Sequence, residues 1–138
     1  KVGALFGEAL VIVNDKYKED FRYIEKQKGA MLAKGRLLGL QFDTLFTDGL
    51  YFEISKHAMK LADRIRDTFK AKGIKLLYDS PTNQLFPMLT DEQMNKLKND
   101  FSFSYWGRNE GLNTVRFCTS WATQESDVDT LIKAINEL

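Results

Sequence analysis

The sequence has one cysteine, one histidine and two prolines in 138 residues. With Cys118 alone, no disulfide can form within the chain, which excludes a disulfide scaffold and fits a reducing, cytoplasmic compartment. One His and one Cys are too few soft ligands for zinc, so no metal is expected. An excess of either charge is also missing. Twenty Lys and Arg stand against 19 Asp and Glu, a net charge of +1, which argues against a nucleic-acid or anionic-membrane surface. There is no run of 18 apolar residues to cross a membrane, and no Walker loop or dinucleotide glycine fingerprint.

What is present is an ordinary globular mixture, 43% apolar and 28% charged. About 140 residues suffice for one domain, or one and a piece, with a real core. The chain opens at Lys1 and enters at once an apolar stretch, Val2-Gly3-Ala4-Leu5-Phe6-Gly7. Exposed N-termini are usually polar, so the expectation is a processed end or the C-terminal part of a longer protein.

Glu8 to Asn14 reads as a mostly buried strand. Lys16 to Lys28 reads as a short helix or ordered loop. From Gly29 the spacing of Met31, Leu32, Leu37, Leu38, Leu40, Phe42 and Leu45 predicts a helical face. Gly35 and Gly39 within it cost about 1 kcal/mol each against alanine, which calls for close packing. Between 49 and 72, Leu50, Ile54, Ala58, Leu61, Ile65 and Phe69 draw one apolar stripe, with Gly73 suited to end the helix.

Beyond Gly73 the spacing predicts strands at 74–78, 84–89, 101–106 and 113–119, with Pro87 marking an edge or bulge. Thr90-Asp91-Glu92-Gln93 is a capping box for a helix to about Asn99. Thr123 is the expected N-cap of a last helix burying Val128, Leu131, Ile132 and Ile135. The organisation expected is therefore residues 1–48 as the end of a larger α/β layer, 49–73 as a connecting helix, and 74–138 as a small α+β unit.

Few residues stand out chemically. His57, on the long helix, reads as an interfacial or surface residue, and Cys118, mid-strand, as a buried structural thiol. Alternation puts Val115 and Phe117 on one face of their strand and Arg116 on the other. A guanidinium there needs an acidic partner or a carboxylate ligand. Lys1 is either a Schiff-base nucleophile or an accident of where the chain starts.

The string Lys1-Val-Gly-Ala-Leu-Phe-Gly-Glu-Ala-Leu-Val-Ile resembles the segment of threonine aldolase-like β-eliminating lyases that begins at the cofactor lysine. Gln27 to Gly35, Asn83 to Pro87 and Val115 to Trp121 are similar to later segments of that family, in the same order. These are fold type I enzymes dependent on pyridoxal phosphate (PLP). The resemblance implies an α/β parent in which this chain is the end of the large domain plus a small α+β C-terminal domain.

It implies that Lys1 holds PLP covalently and moves protons, and that Arg116 clamps the substrate carboxylate. It places Asn83 near the substrate and Lys34 near the cofactor. Lys28 either reaches a phosphate, across a dimer interface, or is a solvated helix-end lysine. The reaction implied is cleavage of a β-hydroxy-α-amino acid to glycine and an aldehyde, in a homodimer or homotetramer. An aminotransferase or decarboxylase shares the same lysine and clamp. A third reading is a non-catalytic α+β domain docking through the 49–72 helix. The family's phosphate cradle, PLP-stacking ring and pyridine-pairing aspartate lie upstream of the matched segment, so the 138 residues alone are expected to be inactive.

Overall fold

The structure, a computed structural model, describes residues 2–138. The chain divides into two units, the first ending at Tyr51 and the second running from Phe52 to Leu138.

In the first unit, the Asn14 carboxamide accepts from the Lys16 N–H at 3.0 Å and opens a 3-10 turn over Asp15–Tyr17. Helix α1 follows at Phe21–Gln27 and helix α2 at Arg36–Phe46. Gly29 takes φ +75° and closes α1: its N–H bonds the Lys26 carbonyl, and that of Ala30 bonds Glu25. This is a Schellman ending, so Gly29 terminates one helix rather than starting the next. The helical face expected from residue 29 therefore begins only at 36, and Met31 and Leu32 lie exposed in a loop.

The strand expected at 8–14 is absent. Leu10, Val11 and Val13 are irregular and exposed. A strand needs a neighbouring ladder, and no described residue of this unit is in a strand. The close packing expected around Gly35 and Gly39 is also not found, since no atom lies within 4 Å of where their side chains would start. That approach occurs at Gly7 (φ +99°), where a Cβ would stand 2.6 Å from Leu38 Cδ2.

Helix α3 spans Leu50–Ala71 and buries Ala58, Leu61, Ala62, Ile65 and Phe69, the predicted stripe over most of its length. Gly73 at φ +72° ends it, with N–H groups of Gly73 and Ile74 on the carbonyls of Lys70 and Phe69.

In the second unit, Gln84–Leu85 (β1) and Met88–Leu89 (β2) lie along the same edge of Leu112–Cys118 (β4). They keep one register, Leu85 opposite Phe117 and Met88 opposite Thr114. They are one lane interrupted at Phe86-Pro87, where proline has no N–H to give. Ser104–Asn109 (β3) lies antiparallel on the other edge of β4. The strand expected at 74–78 shrinks to a bridge between Leu76 and Pro87. β3 begins at Ser104, and Phe101 and Phe103 instead pack against the core.

Helix α4 (Asp91–Lys98) has the predicted capping box, Thr90 Oγ1 taking the Gln93 N–H and Gln93 Oε1 the Thr90 N–H. Helix α5 covers Glu125–Asn136. Its N-cap is Gln124 and not Thr123, whose hydroxyl instead accepts from the Ser120 N–H at 2.8 Å. Helices α3, α4 and α5 bury Leu61, Ile65, Phe69, Leu97, Val128, Leu131 and Ile135 with Leu85, Val115 and Phe117 of the sheet. Each such side chain contributes roughly 1.5–3 kcal/mol of transfer free energy. One sheet face is thus spent on the core, and the other carries Thr114, Arg116 and Cys118 of β4.

Candidate functional site: an arginine without an acid

Strand β4 alternates as its sequence dictates. Val115 and Phe117 are buried among the helices, while Arg116 is half-buried and Cys118 exposed. Cys118 is therefore not the buried thiol expected, because the two-residue period puts it on Arg116's side of the sheet. Phe117 is fixed between Phe69 and Phe103, with ring centroids 6.0 and 5.2 Å away. That locks the backbone from which Arg116 projects.

Arg116 Nη1 donates to Gln84 Oε1 at 3.5 Å, and Nη2 to Ser104 Oγ at 3.4 Å, both long bonds to neutral acceptors. The Trp106 ring lies with its centroid 5.2 Å from Cζ. Among the described residues no carboxylate comes within ion-pair distance of this guanidinium. Arg116 Nε is buried without a hydrogen-bond partner. Of five N–H donors, two are engaged and three are left.

Arg66, whose Nε is likewise buried without a partner, differs in having an acid: it pairs with Asp63 and donates to the Thr82 carbonyl at 2.8 Å. That is how an arginine serving the fold is held. Of the two roles open to Arg116, the internal salt bridge is thus absent among the described residues, and the site keeps in-plane donors for a carboxylate.

The remaining sequence candidates are distributed as follows. Lys1 lies outside the described residues. Lys28 caps α1 and Lys34 lies in the loop before α2; both are exposed and outside the ion pairs of the described residues. Asn83, just before β1, donates its carboxamide N–H to the Thr119 carbonyl at 2.6 Å, while the Thr119 N–H returns a bond to the Asn83 carbonyl. The amide thereby ties the lane of β1 to the end of β4. His57 bonds the Thr123 carbonyl at 2.8 Å through Nε2, an interfacial role within the second unit. Among the described residues no cluster of three His, Cys, Asp or Glu could hold a metal. Gln84, Ser104 and Trp106, which surround the guanidinium, were not singled out by the sequence. The hairpin turn at Glu110-Gly111 would by itself set Tyr105 across from Arg116, so no sequence signal pointed to these three.

The fold and this arginine face define a two-layer α+β unit presenting a cation that meets no carboxylate among the described residues. The chain's homologues are low-specificity L-threonine aldolases. One from a Pseudomonas species is 30% identical over 95% of this chain and 38% of its own length. One from Pseudomonas aeruginosa is 28% identical over 98% of this chain and 39% of its own. A solved Leishmania major threonine aldolase superposes with a TM-score of 0.84 at 40% identity, over 99% of this chain and 40% of that one. The fold is therefore that of part of a threonine aldolase, a fold type I architecture. The chain spans about two fifths of the length of these relatives. No family model matches it.

Proposed function

We propose that this chain is the substrate-carboxylate-binding, C-terminal portion of a PLP-dependent aldolase that cleaves a threonine-like β-hydroxy-α-amino acid to glycine and an aldehyde. The observation that carries the reading is Arg116, a half-buried cation on the sheet face away from the helices, with no acid beside it among the described residues, in a chain whose homologues are named threonine aldolases. Two of its free in-plane N–H groups suit the two oxygens of a carboxylate. Fixing that carboxylate sets the rotation of the α-carbon, so that the bond to be broken is held in one orientation. When bound, PLP supplies the electron sink for that cleavage.

In this reading Lys1, by the resemblance of its segment to the family's cofactor lysine, would hold PLP through its amino group and carry protons. The exposed ammonium groups of Lys28 and Lys34 are available to its phosphate side. Asn83 offers the substrate its carboxamide oxygen and its second N–H, the first N–H being given to the Thr119 carbonyl. The protein is a cytoplasmic homodimer or homotetramer, and the 138 residues by themselves do not turn over.

The test is a chimera carrying this chain in place of the matching segment of a low-specificity L-threonine aldolase. The expected chimera retains a visible PLP absorbance through gel filtration and releases glycine and acetaldehyde from threonine. Lys1→Ala loses the retained absorbance, and Arg116→Gln raises KM for the amino acid. A chimera that holds PLP but yields a keto acid in place of aldehyde overturns the aldolase assignment in favour of an aminotransferase.

A further inference from the structure

The hairpin joining β3 to β4 turns at Glu110 and Gly111, both at positive φ (52° and 78°), the type I′ geometry. Pairing starts at Asn109 with Leu112 and continues through Arg108 with Asn113 and Gly107 with Thr114. An uninterrupted ladder would next put Trp106 across from Val115, on the core side, and Tyr105 across from Arg116. The observed ladder instead pairs Tyr105 with Val115 and Ser104 with Arg116. Trp106 is the inserted residue of a β-bulge, beside Gly107 at φ +143°.

The one-residue insertion exchanges the two faces of β3. It takes the indole away from the core side and sets it over the guanidinium, centroid 5.2 Å from Cζ. The ring is braced from behind by Phe86, which is 8% exposed and meets it edge-on at 5.2 Å, and Phe86 in turn takes Tyr78 at 5.2 Å.

We infer that Trp106 is the positioning residue of the Arg116 carboxylate site, put there by the bulge. This rests on the reading of Arg116 as a carboxylate clamp. The physical reason lies in what each kind of partner does to a cation. An aspartate or glutamate would hold the guanidinium firmly but neutralise it and occupy the donors a ligand needs. An indole attracts the cation through the ring's negative face and covers one flat side, leaving charge and in-plane N–H groups free. The neutral, long contacts to Gln84 and Ser104 also leave the charge in place, taking one N–H each.

The experiment is side-chain ¹⁵N NMR of the 138-residue chain, following the Arg116 Nε–Hε resonance during titration with acetate. In the wild type, that proton is expected upfield of ordinary arginine positions, from the ring current, and to shift with acetate. Trp106→Leu is expected to lose the upfield position and weaken acetate binding roughly fivefold, a typical cation–π contribution. Trp106→Phe, a smaller ring, is expected to restore part of both. Trp106→Leu binding acetate as tightly as the wild type overturns the role of Trp106 while leaving the clamp standing. A wild-type Arg116 signal indifferent to acetate overturns the clamp itself. If Trp106→Leu does not fold, the wild-type signal still decides: an Nε–Hε proton with no upfield shift overturns the inference.

Discussion

Two arginines of the second unit offer a direct test of what each is for. Arg66 is 8% exposed, paired with Asp63 and bonded to the Thr82 carbonyl. Arg116 has no acid among the described residues, two long bonds to neutral oxygens and one indole face. Replacing each by methionine keeps most of the aliphatic stem and removes the charge. For Arg66→Met, the lost charged hydrogen bonds and the carbonyl left without a donor outweigh the relief at its own buried, partnerless Nε–H, for a net destabilisation of about 1–3 kcal/mol.

For Arg116→Met, the lost cation–π contact is worth about 0.5–1 kcal/mol. Against it stands relief from burying an Nε–H with no acceptor, of similar size and opposite sign. The expected net change is within about 1 kcal/mol of zero. Urea unfolding of both variants, compared at equal m-value, reads the difference directly. An Arg116→Met variant destabilised as much as Arg66→Met would refute the reasoning. It would mean that the fold depends on Arg116 through something other than these contacts, and that the guanidinium is not reserved for a ligand. Functional groups are often held at the expense of stability in this way.

Two further outcomes follow from the geometry. Phe117→Ala removes a ring packed between Phe69 and Phe103 at the centre of the core, and a loss of about 3–5 kcal/mol in urea unfolding is expected. Asp91 lies at the start of α4, where the Asn113 amide (2.6 Å) and then the Arg108 guanidinium hold its carboxyl below its usual 3.8. A carboxylate with a lowered folded pKa stabilises above the unfolded value and loses that contribution as pH falls through the folded one. Wild type should therefore exceed Asp91→Asn in stability at pH 7, with the gap closing toward pH 3; a gap that widens on acidification would contradict the assignment.

Several features were legible because they depend only on local chemistry or on a regular period. The Thr90–Gln93 box, the Gly73 ending of α3, the α3 stripe and the placing of Val115 and Phe117 opposite Arg116 are of this kind. Other expectations failed where a neighbour decides. The apolar run at 8–14 has strand composition but no strand beside it among the described residues of its unit. The apolar spacing makes Gly29 the start of a helix, yet it closes the one before it. Residue type alone makes Cys118 a buried thiol, although alternation puts it on the face of Arg116, where it is exposed.

The sequence by itself thus determined the helical stripes, the caps, the presence of a cation on the polar face of a strand, and the resemblance to threonine aldolases. Only the tertiary structure decided that this cation meets no acid among the described residues, and that an indole lies over it. Pairing partners from distant segments set the first. A single inserted residue in β3 set the second, because a β-ladder has period two and one extra residue exchanges its faces.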